Sequence, residues 1–168
     1  MLRSYLRKTI IVVLILIVIL CIVMVGCEIL CQDPVIQSLP SYESEAFYSS
    51  GGFQDFTDYG IYDYSNMDLE KLQDNQYFEP VDAQLSDVLS YIENFEGRIE
   101  ADRNSEPDNE LSTNYHFDKT VIDEQDYFYL ETKEGTPIGN TTYRKFDNYT
   151  LYLFDVQTKT LYYFHSNI

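Results

Sequence analysis

The pattern of apolar and polar positions separates the start of the chain from the rest. Residues 10–27 carry no charge and no strongly polar side chain. A helix that packs on the core of a small soluble domain would show a polar stripe on its exposed side, and this run shows none. At about 1.5 Å per residue, residues 9–30 are long enough to cross a bilayer. We therefore predict a transmembrane signal anchor over residues 9–30.

The charges around this segment predict its orientation. Arg3, Arg7 and Lys8 precede it, and Glu28 is the first acid in the chain. Positive charges stay on the cytoplasmic side of a membrane segment. Residues 1–8 are therefore expected to form a cytoplasmic basic tail. The rest of this single-pass cell-membrane protein is expected to be extracytoplasmic.

A second interpretation of the N-terminus rests on four residues. Met24-Val25-Gly26-Cys27 resembles the lipobox of bacterial lipoprotein precursors. The resemblance implies a signal removed after residue 26, acylation of Cys27 and a lipid anchor on the outer face. The apolar run exceeds the roughly 7–15 residues usual in a cleavable signal, which favours the retained anchor. Both interpretations place the remainder outside.

Residues 31–79 show no long apolar face. They contain ten acids and a single basic residue, Lys71, and Pro34, Pro40 and the Ser-Gly run at 49–52 interrupt any periodicity. This composition predicts an acidic aromatic stalk that is mostly disordered. The alternation of aromatic and acidic residues between positions 53 and 64 suits docking onto a basic partner or onto the stalk's own domain.

A helix and a set of strands follow. The apolar residues from Val81 to Phe95 recur at helical spacing, Pro80 suits a helix start, and Gly97 suits a stop. Residues rich in Tyr, Phe and β-branched side chains then predict strands. The fold class is α+β, with one amphipathic helix packed on an antiparallel meander of four to five strands in a small domain over residues 80–168. The predicted strands are 113–118, 126–133, 140–147, 149–155 and 160–166.

Composition restricts the function. The chain has 11 Lys and Arg residues against 28 Asp and Glu residues. Residues 28–168 hold all 28 acids and eight of the 11 basic residues, so their net charge is −20. This excludes an electrostatic nucleic-acid binder and favours encounters with a basic partner. All three Cys lie at or before residue 31, which excludes a disulfide-stapled domain.

The last two predicted strands supply the candidate binding residues. Large aromatic side chains there either form a contact patch or hold the helix as core. Tyr152 and Phe154 share one face of their strand, and Tyr162 and Phe164 share one face of theirs. If the two faces coincide, these four form a single patch. The candidates are Tyr149, Tyr152, Phe154, Tyr162 and Phe164.

We expect no catalytic, metal or cofactor site. His116 and His165 lie in predicted strands among aromatic residues, where structural roles are common. The polar loop over 101–110 lacks the Gly and Glu that a calcium loop needs, having Pro107 and Thr113 there. Asn140-Thr-Thr and Asn148-Tyr-Thr are glycosylation sequons.

The sequence therefore predicts a membrane-anchored extracytoplasmic binding domain that contacts a basic protein or peptide. An immunity-type protein or an adaptor would fit this description. The alternative is a tethered hydrolase that uses paired carboxylates on the cell envelope. About 88 residues leave little room for the deep cleft that such an enzyme needs.

Overall fold

The computed structural model describes residues 33–52 and 55–168. The chain divides into two compact units, residues 1–38 and residues 39–168. The described part of the first unit holds a short helix, α1 (Pro34–Gln37), and Asp33 accepts hydrogen bonds from the backbone of its first turn. The described residues include no helix long and apolar enough to cross a membrane. The predicted anchor and Cys27 lie outside them.

The second unit is built on an antiparallel sheet. In chain order the strands are β1 (Ser44–Gly51), β2 (Phe56–Asp63), β3 (Glu79–Pro80), β4 (Tyr127–Thr132), β5 (Pro137–Ile138), β6 (Thr141–Thr142), β7 (Asn148–Asp155) and β8 (Thr160–Asn167). Six of them form the sheet, in the spatial order β1-β2-β8-β7-β4-β3. The two short strands β5 and β6 pair separately as a hairpin.

The helices lie in the long connection between β2 and β4. A short helix α2 (Glu70–Gln73) precedes β3, and a 3-10 turn (Asp82–Gln84) leads into the main helix α3 (Leu85–Ser105). Another short helix, α4 (Glu110–Asn114), and a 3-10 turn (Lys119–Val121) then return the chain to the sheet.

The core forms where α3 packs against one face of the sheet. The helix buries a stripe of apolar side chains at spacings of three, one, three and four residues, which is the face of an amphipathic helix. Phe95 lies at the centre, with its ring 5.3 Å from Phe164 and 6.4 Å from Tyr59. The buried residues of the stripe are Val88, Tyr91, Ile92, Phe95 and Ile99.

The structure confirms the α+β class, with one main helix and an antiparallel sheet. It corrects the helix end. α3 continues through Gly97 to Ser105, because Ile99 extends the buried stripe by one turn and Gly97 lies on the exposed side. Residues 113–118 are not a strand, since α4 occupies their beginning. Of residues 140–147, only β6 is extended and paired.

The predicted stalk is also corrected. Residues 44–63 form β1 and β2, and the sheet has six strands rather than four or five. β2 pairs along its whole length with β8, from the far end of the chain. The folded domain therefore starts well before Pro80. The high acid content does not prevent strand formation, because Asp58 and Asp63 occupy partly exposed strand positions.

Three buried tyrosines should make the folded protein less stable in alkaline solution. Burial raises the pKa of Tyr59, Tyr115 and Tyr149 far above the usual value of about 10. Above that pH the unfolded chain releases protons that the folded protein still holds. The free energy of unfolding therefore falls as the pH rises past about 10.

An alkaline titration checks this. Tyrosinate absorbance should rise in two phases, and the second should coincide with loss of the circular-dichroism signal. The variant Tyr59→Phe has one fewer buried phenol to ionise, so its unfolding should shift to higher pH. Ionisation of every tyrosine while the sheet signal persists would contradict the prediction.

Candidate interaction surface

The central strands carry large apolar side chains on both faces of the sheet. Along β7, Tyr149, Leu151 and Leu153 point towards α3 and belong to the core. The intervening residues Tyr152 and Phe154 point the other way. We call this second side, turned away from α3, the outer face. It is the part of the sheet that α3 cannot cover.

One end of the outer face is covered by the connection after β2. Tyr64, Met67 and Leu72 of this connection are buried, and the ring of Tyr64 lies 5.9 Å from that of Phe154. Lys159 fixes the connection by donating to the carbonyl of Met67 at 2.9 Å. Phe154 is therefore fully enclosed at this end.

An aromatic row crosses the middle of the outer face. The register places Phe47, Gly60, Tyr163, Tyr152 and Tyr129 side by side on five neighbouring strands. Ring centroids are 6.0, 5.3 and 5.8 Å apart for Phe47–Tyr163, Tyr163–Tyr152 and Tyr152–Tyr129, and Tyr77 extends the row 5.2 Å beyond Tyr129. The aromatic row is Phe47, Tyr163, Tyr152, Tyr129 and Tyr77.

Gly60 makes the close packing of this row possible. A Cβ atom at Gly60 would lie 2.8 Å from Cε2 of Tyr62 and 3.2 Å from Cβ of Tyr163. The missing side chain lets the Tyr62 ring lie over the backbone of β2. It also leaves the gap across which Phe47 reaches Tyr163.

Carboxylates accompany the aromatic row. The next register row contains Ser49, Asp58, His165, Thr150 and Glu131, and Glu45 lies on the other side of Phe47 on the same face of β1. The His165 ring is 5.0 Å from that of Phe56, and its Nδ1 is 2.7 Å from the Thr150 hydroxyl. Acidic and aromatic groups therefore share one surface.

No Lys or Arg side chain lies on any strand that the structure describes. Several instead hold loops to α3. Lys145 pairs with Asp87 at 2.6 Å, and Lys119 pairs with Glu96 at 3.0 Å. The Arg98 guanidinium donates to the carbonyl of Phe146 at 2.5 Å. These three cations therefore bond to groups within the helix layer and its loops. The carboxylates on the strands have no Lys or Arg on a neighbouring described strand.

The candidate residues from the sequence fall on opposite faces. Tyr149, Tyr162 and Phe164 pack in or against the core beside α3, and the Tyr149 hydroxyl donates to the carbonyl of Tyr91 at 3.1 Å. Tyr152 and Phe154 lie on the outer face, because Tyr152 pairs with Tyr163 and Phe154 with Leu161. The register therefore separates the two pairs, and the four do not form one patch.

Sequence reasoning missed the most exposed members of the row. Phe47 is 50% exposed but fell within the predicted stalk. Tyr163 and Tyr129 are half-buried. The alternation in β8 contained the signal for Tyr163, because a core position at Phe164 puts its neighbour on the outer face. Tyr77 lies outside any strand, so periodicity could not find it.

A cavity of about 440 Å³ lies on the α3 side, beside the segment 114–121. Half-buried Tyr162 lines it with Tyr48 and Tyr59, and His116 and Asp118 stand at its rim. Burial raises the pKa of Tyr162. His116 is exposed and lies outside any strand, which corrects the predicted strand over residues 113–118.

The buried carboxylate Asp126 has a structural environment. Its Oδ1 accepts from the backbone of Val156 at 3.0 Å and its Oδ2 from that of Asp123 at 2.9 Å. Burial raises its pKa. Among the described residues, no group of three or more His, Cys, Asp or Glu side chains could hold a metal ion.

Comparison of the chain with protein-family models, curated protein sequences and solved structures finds no match.

The packing around Gly60 can be tested with a pair of glycine substitutions. Gly60→Ala should lower the free energy of unfolding by about 1–3 kcal/mol, because the new methyl group displaces the Tyr62 ring. Gly97→Ala is the matched control, because Gly97 lies on the exposed side of α3 with nothing near its added Cβ. It should raise the free energy of unfolding by roughly 0.5–1 kcal/mol.

Urea unfolding of both variants provides the measurement. Equal stability of Gly60→Ala and the unmodified protein would show that the row does not need the glycine.

Proposed function

We propose that the protein is a membrane-anchored extracytoplasmic binding domain, without a catalytic role, that contacts a basic protein or peptide through the outer face. The observation that supports this proposal is a sheet face with a row of aromatic rings, flanking carboxylates and no Lys or Arg on any described strand. An immunity-type protein or an adaptor remains the concrete version of this function.

The chemistry of the outer face suits Lys and Arg side chains. A cation above a Tyr or Phe ring gains about 0.5–2 kcal/mol, depending on how far it is desolvated. Carboxylates beside the ring add a charge-assisted hydrogen bond. Glu45, Asp58 and Glu131 lie on the same side of their strands as the aromatic row, so one basic segment could meet both kinds of group.

Charge and aromatic contact have different roles in this proposal. A net charge of −20 over residues 28–168 accelerates encounters with a cation at low salt. Specificity and residence time depend on the partly buried rings, since Tyr side chains commonly dominate binding energy. The half-buried Tyr129 and exposed Glu131 are the best-placed pair for testing these roles separately.

We predict that Glu131→Gln weakens binding of a synthetic Arg-rich peptide about two- to fivefold at low salt, because one exposed ion pair is lost. Glu100→Gln makes the same charge change at an exposed position of α3, and it should alter the affinity less than twofold. Tyr129→Leu keeps an apolar side chain but removes the aromatic ring, and should weaken binding at both low and high salt.

Fluorescence anisotropy with the full-length chain and the labelled peptide gives these affinities. A Glu-rich peptide of equal length is the control ligand. Equal effects of Glu131→Gln and Glu100→Gln would show that net charge alone attracts the peptide, and the outer face would lose its proposed role.

The topology proposed from Arg3, Arg7 and Lys8 has its own test. Asn140 is exposed beside the hairpin of β5 and β6 and starts an Asn-Thr-Thr sequon. Full-length chain translated with endoplasmic-reticulum microsomes should gain a glycan if residues 28–168 cross the membrane. The double variant Asn140→Gln with Asn148→Gln should gain none.

A secretory glycoprotein translated in parallel shows that the microsomes are active. Absence of any glycan on the chain, while that control is modified, would contradict the proposed orientation.

A further inference from the structure

The strand β1 forms one edge of the six-stranded sheet, and among the described residues only β2 pairs with it. The backbone of Gly52 donates to the carbonyl of Asp55 at 2.8 Å, which fixes the phase of the ladder. Even-numbered residues of β1 therefore bond to β2. The backbone groups of Glu45, Phe47 and Ser49 point away from the sheet.

β1 carries no Pro, no Lys and no bulge within Ser44–Gly51, which are features that protect many edge strands. Natural edges are short, or carry Pro, Lys or a bulge that prevents pairing with another chain. β1 is eight residues long, its register with β2 is continuous, and Glu45 is its single charged residue. The opposite edge strand, β3, has two residues and ends in Pro80.

We propose that β1 is the dimerisation edge of the protein, where it pairs antiparallel with β1 of a second copy and places Phe47 opposite Phe47. The pairing is isologous, because a two-fold axis perpendicular to the sheet relates the two strands. The Glu45 and Ser49 backbones of one copy then bond with Ser49 and Glu45 of the other.

The register follows from two features of the strand. A two-fold axis pairs residues so that their numbers add to twice the central residue. An axis at Tyr48 would pair Glu45 with Gly51, whose φ of +106° is not extended. An axis at Phe47 pairs only residues from Ser44 to Ser50. It also brings two aromatic rings together and puts no like charges opposite each other.

Burial of Phe47, rather than charge, favours a second copy over a cationic strand at this edge. In a chain of net charge −17, two copies repel each other over most of their surface. β1 has one carboxylate, and the proposed register sets it opposite an uncharged Ser. The exposed Phe47 ring, which a basic strand would leave partly in water, becomes covered by its equivalent.

Dimerisation would join the two aromatic rows into one surface. Phe47 is the last member of the row on each copy, and Tyr163 follows it at 6.0 Å. Pairing across the edge therefore continues the row from one outer face to the other. A basic partner would meet a surface twice as long as that of one copy.

Engineered cysteines test the register in the full-length chain, with Cys21, Cys27 and Cys31 replaced by Ser. Phe47→Cys should form a disulfide-linked dimer under mild oxidation, because paired residues lie about 5.5 Å apart between Cα atoms. Ser49→Cys and Glu45→Cys should each remain monomeric, since equal positions are about 14 Å apart in this register. Mixing those two variants should restore the dimer.

Thr141→Cys, on exposed β6, measures links formed by random collision. Cross-linking of Phe47→Cys no greater than that of Thr141→Cys would overturn the proposal, and so would equal cross-linking of Ser49→Cys alone.

A second variant keeps the proposal independent of thiol chemistry. Phe47→Pro removes an N–H that points away from β2, so the intramolecular ladder retains its hydrogen bonds. Analytical ultracentrifugation should show that the unmodified chain dimerises and that Phe47→Pro does not, with unchanged circular dichroism. A monomeric unmodified chain, or an equally dimeric Phe47→Pro, would overturn the proposal.

Discussion

The structure depends on one constraint, which is that its central strand has apolar side chains on both faces. Nearly every residue of β7 is buried. A strand of this kind is stable only where two layers cover it. Among the described residues α3 is the one long helix, and it covers one side of β7. The other side is covered partly by the connection after β2, and the aromatic row lies in the remainder.

This constraint also explains where the charges lie. Lys145 and Lys119 bond to carboxylates of α3 and fasten the loops beside it. These ion pairs hold the loops against α3 and so stabilise the layer that covers this face of the sheet. The strands that the structure describes carry no Lys or Arg, so the carboxylates beside the aromatic row have no such partner on them. Charged side chains thus stabilise the helix layer through ion pairs, while the carboxylates of the outer face are left for the interaction that we propose.

Sequence patterns predicted the helix and three of the strands because their signals are local. The spacing from Val81 to Phe95 identified the buried side of α3, and Ile99 continued it where Gly97 suggested a stop. β4, β7 and β8 followed from dense aromatic and β-branched residues. The candidate patch could not be predicted, because whether Tyr152 shares a face with Tyr162 or Tyr163 depends on register between strands.

β1 and β2 could not be predicted for a related reason. Their serines, glycines and acids resemble a stalk when only neighbours in sequence are considered. They are strands because β8 offers β2 a complete pairing edge. That partner lies some hundred residues away, and no local window of sequence contains it.

The pairing of β2 with β8 has a consequence for the order in which the domain is assembled. β8 follows every other described strand in chain order, yet it lies between β2 and β7 in the sheet. The hairpin of β1 and β2 can form early, but it cannot join the sheet until β8 is in place. Contacts this distant in sequence slow folding, so completion of the six-stranded sheet is expected to be a late and slow step.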